Sequence, residues 1–304
     1  MILSCGEALI DMLPRTSADG EDCFAPYAGG AVFNTAMALG RLGTPSSFFS
    51  GLSSDLFGDI LRDTLAASQV DTSPAHVSDR PTTMAFVRLT DGQASYTFYD
   101  EGTTGRMLTE ANLPVTTADA LFFGGISLVV EPCATAYEAL QAREAQRAVI
   151  VIDPNIRPSF ITDEAAYRAR INRMIDRADI VKLSDEDMHW LMGDGGIEQH
   201  ARALLARGPR LICVTEGAKG ATGFTSSDNI FVAATSVKVA DTVGAGDTFN
   251  AGVLCALHKR GALTKEKVAF LDAATVTAAL QMGIKTAAIT VSPAGANPPW
   301  ANEL

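Results

Sequence analysis

Asp241-Thr242-Val243-Gly244-Ala245-Gly246-Asp247-Thr248-Phe249 is the stretch of this chain best suited to chemistry. An irregular glycine-rich turn is expected to end at Asp247, and an apolar helical run from Phe249 to Leu257 follows at once. A helix start leaves backbone N–H groups without intrahelical partners and carries partial positive charge, so it attracts anions. Small residues at 244 to 246 let a bulky anion such as phosphate come close to the backbone. Asp247 then puts a carboxylate at the mouth of an anion site. It either caps the helix or acts as a base beside the bound anion. Capping alone would not need two glycines, so the spacing favours the base. The helix end is expected to hold this carboxyl low and ionised.

The rest of the chain must position that turn. After residue 105 apolar strands alternate with helices. Strands are expected at 121–123, 149–152, 180–182 and 211–214, with helices near 132–146, 164–177 and 185–192. Continuous apolar strands between helices indicate a parallel sheet covered on both faces, with ligands bound where strand ends meet the following loops. Asp11, Arg157, Thr215 and Asp247 all fall at or just after such strands, so they could converge. Earlier, Ile2–Cys5 and Ser46–Gly51 read as strands and Phe57–Ser68 as a helix. Gly29-Gly30 breaks the chain before an amphipathic helix, 33–42, ended by Gly43. Asn34, at the start of that helix, is either a first-turn polar residue or a ligand-binding one. The runs 83–89 and 94–99 alternate in polarity around Asp91-Gly92, a strong hairpin signal. Segments 12–28 and 74–104 therefore read as antiparallel strands inserted into the α/β core formed by 1–11, 29–73 and 105–304.

Composition narrows the class. A chain of 304 residues with 47% hydrophobic content is ample for a core. A formal net charge of −11 disfavours general nucleic-acid or anionic-membrane binding. No lysine precedes Lys182, so phosphate contacts in the first half must use arginine or backbone N–H groups. Cys5, Cys23, Cys133, Cys213 and Cys255 are odd in number and lack C-x-x-C spacing, as expected of reduced thiols. The four histidines show no zinc-ligand spacing. No signal peptide or membrane span is expected, which predicts a soluble, cytoplasmic protein. There is no G-x-x-x-x-G-K-S/T loop, no dinucleotide fingerprint and no nucleophilic-serine elbow.

Residues Asp241 to Phe249 resemble the C-terminal signature of the ribokinase-like (phosphofructokinase-B type) sugar kinases. Further matches run through nearly the whole chain in that family's order: Gly6-Glu7…Asp11, Gly29-Gly30…Asn34, Gly51…Asp55…Gly58, Asp153-Pro154-Asn155…Arg157 and Val214-Thr215…Gly217…Gly220. Within the family, the segments 6–11 and 153–158 are most similar to bacterial fructokinases, with 2-keto-3-deoxygluconate kinases close behind. The resemblance implies a three-layer α/β/α core with a mostly parallel sheet and a small β-sheet lid. It also implies transfer of the γ-phosphate of ATP, with Mg²⁺, to a sugar hydroxyl, D-fructose giving D-fructose 6-phosphate. By resemblance Asp247 is the base, the backbone amides of Gly244, Ala245 and Gly246 form the anion hole, and Arg157 steadies phosphate. Asp11, Gly30 and Asn34 would hold sugar hydroxyls, while Thr215, Gly217 and Gly220 border the nucleotide. Asp241 and the carbonyl of Val243 match positions that in relatives bind a monovalent cation such as K⁺.

The chain also departs from the pattern. Where relatives often carry Asn-x-x-Glu, it has Ser184-Asp185-Glu186-Asp187. These residues read as a capping box, the alternative being that Glu186 or Asp187 organises Mg²⁺ through water. Val32 and Phe33 replace Pro and Ala, and Asp100 stands where fructokinases commonly place Arg. Tyr96 and Phe98 either cover the sugar or pack. Another keto-sugar, such as 2-keto-3-deoxygluconate, is the same-class alternative. A sugar-binding regulatory protein without catalysis is the different-class one. The lid's apolar face is a candidate homodimer interface.

Overall fold

The computed structural model describes residues 1–90, 93–292 and 297–304. A nine-stranded sheet organises the chain, in the order Asn229–Ala233, Gly220–Phe224, Leu211–Thr215, Ile180–Ser184, Val149–Asp153, Ala120–Gly124, Ile2–Cys5, Ser46–Phe49, Val70–Asp71. The seven strands from Leu211–Thr215 to Val70–Asp71 pair in parallel, and the two at the other edge are antiparallel. Strand side chains alternate between faces. Ile2, Phe122, Val149 and Val151 enter one apolar layer, with helices Ala31–Arg41, Leu56–Ala67, Ala245–Lys259 and Ala273–Thr290. Leu3, Phe123, Ile150 and Ile152 enter the other, with helices Cys133–Glu144, Glu164–Arg177, Asp185–Met192 and Ile197–Leu205. The fold is a three-layer α/β/α sandwich, as the strand–helix alternation predicts.

A separate four-stranded sheet has the order Asp22–Gly29, Leu9–Thr16, Met84–Thr90, Gln93–Tyr99. Its pairs are antiparallel except Leu9–Thr16 with Met84–Thr90. Its register sets Asp11 opposite Tyr27 and Ala85, and Ala85 opposite Phe98, so these four share one face. The Asp91-Gly92 turn lies outside the described residues. Met12, Ala28 and Met84 pack the sheet against the core, and two specific contacts reinforce this. Phe98 stands edge-on to Phe160, with ring centroids 4.4 Å apart. Asp55 caps helix Leu56–Ala67 through the Gly58 N–H and also accepts from the backbone and hydroxyl of Thr82, just ahead of strand Met84–Thr90.

Several boundaries move from expectation. The chain expected as one strand at 46–51 divides into Ser46–Phe49 in the large sheet and Gly51–Ser53, which pairs with His76–Ser78. Helix 33–42 runs instead over Ala31–Arg41, starting directly after Gly30. The helix expected from Phe249 begins at Ala245, with Gly244 as its cap in the left-handed region at φ 78°. No helix among the described residues is long and apolar enough to cross a membrane.

Candidate active site

The C-terminal ends of the parallel strands deliver Glu7, Asp153, Ser184 and Thr215 to one edge of the sheet, and helix Ala245–Lys259 begins there. Because Gly244 is the cap, Asp247 is the third helical residue and does not cap. Its Oδ2 instead accepts a hydrogen bond from Asn34 Nδ2 at 2.9 Å. The Thr35 hydroxyl donates to the Asp247 carbonyl, joining helix Ala31–Arg41 to the same turn. The residue is 8% exposed. Burial pushes its pKa up to about 7, opposed by the Asn34 bond and Lys182 and reinforced by Asp153 and Glu7. The expectation of a carboxyl held low by the helix end is therefore corrected. Desolvation of a carboxylate inside the protein outweighs the pull of the partial charges at the helix start. A base with a pKa near the working pH is suited to proton transfer.

The two glycines of the turn have different reasons. Gly244 is needed for its positive φ. Gly246 is helical, yet a Cβ there would lie 3.2 Å from Lys182 Nζ. Of the three amides expected to bind the anion, that of Ala245 already donates to the Thr242 carbonyl at 3.3 Å. Those of Gly244 and Gly246 have no partner among the described residues.

Below the turn lies a buried polar cluster that sequence reasoning missed. Lys182 Nζ and Asn250 Nδ2 both donate to Asp153 Oδ2, at 3.0 and 2.7 Å, while Asp153 Oδ1 takes the Asn155 N–H. Asn155 turns the loop at φ 46°, a conformation asparagine tolerates. The next N–H, of Ile156, donates to Asp187 Oδ1 at 3.0 Å. Ser184 and Asp187 do form the capping box. Asp187 thus closes the helix start and fixes the loop carrying Arg157. Arg157 is exposed, and among the described residues its guanidinium hydrogen-bonds its neighbour's carbonyl, Ile156 O at 3.0 Å. Glu186 is exposed in the first turn of its helix.

Asp11 approaches from the small sheet. Its carboxylate takes no hydrogen bond from any described residue, and burial pushes its pKa up to about 6. A Cβ on Gly29 would fall 2.3 Å from Asp11 Oδ2, so that glycine makes room for the carboxylate. Gly30 has φ 113° and abuts the Glu7 carbonyl. Asp11, Arg157 and Asp241 all lie within electrostatic reach of the Tyr96 hydroxyl, whose pKa burial raises. Asp11, Arg157 and Asp241 therefore gather around Tyr96 of the small sheet. Asp241 Oδ1 accepts from the N–H of Val243, which is exposed. Asp100 pairs with Arg106 at 3.0 Å, so a guanidinium and a carboxylate share that place.

Of the residues expected to border the nucleotide, Thr215 ends its strand, and Gly217 and Gly220 lie at the two ends of a short 3-10 turn. Gly220 has φ 134°, and a Cβ there would strike the Val232 carbonyl at 2.1 Å, so backbone and packing both require the glycine. Gly217 has φ 53° and open space around it.

Glu7 is a further residue that sequence reasoning left without a role. Helix Ala31–Arg41 has no side-chain cap of its own. Glu7 caps it from outside, Oε1 accepting from the Ala31 N–H at 2.9 Å and Oε2 from Ser127 N–H at 3.3 Å. Burial raises its pKa, partly offset by these bonds. Glu7→Ala strands these donors, so a loss of about 1–3 kcal/mol is expected in urea unfolding. An unchanged midpoint would refute this role.

Comparison with known proteins gives consistent matches. The sequence model described as pfkB family carbohydrate kinase matches residues 1–303. A fructokinase of Rhizobium leguminosarum bv. trifolii is 55% identical over 274 residues, covering 90% of this chain and 84% of that protein. Among solved structures, a fructokinase from Xylella fastidiosa with bound ATP superposes with a TM-score of 0.89 at 28% identity, over 97% of this chain and 93% of the other. A double-mutant fructokinase from Vibrio cholerae holding fructose, ADP and potassium gives 0.85 at 27% identity, over 97% and 93%.

Proposed function

The chain belongs to the pfkB family of carbohydrate kinases and is an ATP-dependent sugar kinase; we propose that its sugar is D-fructose, phosphorylated to D-fructose 6-phosphate. The choice of sugar is supported by the relative at 55% identity. One observation carries the chemistry: a buried carboxyl with pKa near 7, oriented by Asn34, beside unspent amides at a helix start.

In this reading the sugar lies between Asp11, Gly30 and Asn34, with one hydroxyl toward Asp247. The hydroxyl oxygen bonds to the γ-phosphorus as the bond to the ADP oxygen breaks, and Asp247 takes the hydroxyl proton. Phosphoryl transfer has a loose transition state, so positioning and charge neutralisation dominate. The amides of Gly244 and Gly246 and the guanidinium of Arg157 meet the charge of the transferring group. Ala245 joins them only by giving up its bond to Thr242. Thr215, Gly217 and Gly220 border the nucleotide.

The described residues include no group of three acidic, His or Cys side chains able to hold a metal. Mg²⁺ would keep its waters and be held mainly by phosphates, with exposed Glu186 as an outer carboxylate. When bound, Mg²⁺ neutralises phosphate charge. We further assign Asp241 and the Val243 carbonyl to a monovalent cation such as K⁺, and segments 12–28 and 74–104 to a lid that excludes water. A cytoplasmic location and a homodimer through the lid sheet complete the reading. Phe24, Phe86 and Tyr99 form an edge-to-face aromatic row on the sheet face away from Asp11, which favours that contact.

The test is ADP release from ATP·Mg²⁺ with fructose, 2-keto-3-deoxygluconate, ribose, glucose or adenosine, against a no-sugar blank. Fructose is expected to give the highest kcat/KM. A higher value for another sugar would replace fructose, and sugar binding without turnover would favour a regulatory protein.

A further inference from the structure

We propose that Lys182 is a working charge of the transfer site, its ammonium a fixed cation for the phosphoryl group in transit as well as the partner of Asp153. The inference rests on the kinase reading and adds a residue to its machinery.

Position is the first support. Lys182 comes from the strand Ile180–Ser184 and is 5% exposed. Its Nζ lies where a Cβ on Gly246 would approach to 3.2 Å, directly under the start of helix Ala245–Lys259. Gly246 is helical and needs no glycine for its backbone. Glycine is a poorer helix former than alanine, and what it leaves clear here is the space between the ammonium and the turn.

Donor count is the second. An ammonium has three N–H groups. One donates to Asp153 Oδ2 at 3.0 Å, and the other two have no partner among the described residues. Two unspent donors on a buried cation are costly unless a ligand uses them. The neighbouring Gly244 and Gly246 amides are unspent too, so unspent donors of matching charge gather at the start of this helix.

Charge state is the third. Burial alone would lower the lysine pKa, but Asp153, Asp187 and Asp247 together raise it, so the group stays protonated. All four oxygens of Asp153 and Asp187 already accept hydrogen bonds. Lysine is a compact point charge, suited to an anion arriving from above while Asp153 holds it from below.

A lysine that served only as the Asp153 counter-ion would show the same ion pair. The test is therefore a double-mutant cycle on the full chain, with Lys182→Met, Asp153→Asn and both together. Each is measured for thermal midpoint, kcat, and KM for fructose and ATP·Mg²⁺. Asp153→Asn keeps the ammonium, so kcat is expected to stay within about 10-fold of the parent. Adding Lys182→Met to it is expected to lower kcat by about 100-fold or more, with KM for fructose changed by less than about 3-fold. This comparison holds even where the single Lys182→Met chain fails to fold, because the double variant is neutral on both sides. An unchanged kcat on adding Lys182→Met would reduce the lysine to a counter-ion and overturn the proposal. So would an inactive Asp153→Asn with a native midpoint, which would assign the effect to Asp153. A parent chain inert toward every sugar would overturn the kinase reading, and this inference with it.

Discussion

Asp247→Asn is expected to lower turnover by about three or more decades while making the folded chain more resistant to heat at pH 8. The two effects have one origin. The carboxyl is buried, and its pKa is raised from 3.8 to about 7. The folded state therefore binds this proton more tightly than the unfolded chain does. Stability contributed by the group is greatest below about pH 4 and falls as pH rises to about 7, above which the folded site holds an ill-solvated anion. About three units correspond to at most about 4 kcal/mol. A neutral amide removes that cost. It also suits the site, offering oxygen to Asn34 Nδ2 and N–H to Asn34 Oδ1, which has no partner among the described residues. Melting curves from pH 4 to 8 should converge at the acid end and separate toward pH 8. The unmodified chain should show kcat/KM rising with pH to a plateau above about 7, the base being active when deprotonated. Near-normal turnover in the variant would remove Asp247 as the base. Loss of turnover with a lowered midpoint at pH 8 would contradict the burial argument.

Much of this was legible locally. Strand–helix alternation gives the sandwich, the capping box at Ser184 is a four-residue pattern, and the glycines at 244 and 246 mark the turn. What was not legible is convergence over long separations. Asn34 reaches Asp247 across 213 positions, and Asn250 reaches Asp153 across 97. Nothing in the strand Ile180–Ser184 says whether its lysine points into the site or out to solvent. The direction of the Asp247 shift was also hidden, because the helix charge is visible in sequence whereas the depth of burial is not. One signal could have found Lys182: it is the first lysine in the chain and sits inside a run of apolar strand residues, where a charge needs a partner.

Asp11→Ala is expected to raise the KM for fructose by roughly 10- to 100-fold while leaving that for ATP·Mg²⁺ within about 2-fold. Each charge-assisted hydrogen bond is worth about 1.5–3 kcal/mol. Asp11 takes no hydrogen bond from any described residue, and yet burial raises its pKa to about 6. Left so in the free protein, it is a pair of acceptors awaiting donors. The chain keeps Gly29 beside it, where any Cβ would collide with Oδ2. Sugar hydroxyls are donors that fit, and in the proposed reading the nucleotide is bordered by other residues, Thr215 among them. A structural Asp11 would behave otherwise, because removing it would loosen the small sheet and weaken both substrates together. Equal losses for sugar and ATP would therefore sink the assignment. A further check separates the two carboxyls. The limb of kcat/KM near pH 7 belongs to Asp247 and should survive in the Asp11 variant, because the base and the sugar clamp titrate as different groups. If the limb vanished with Asp11, the proton acceptor would be Asp11, and the roles of the two residues would have to be exchanged.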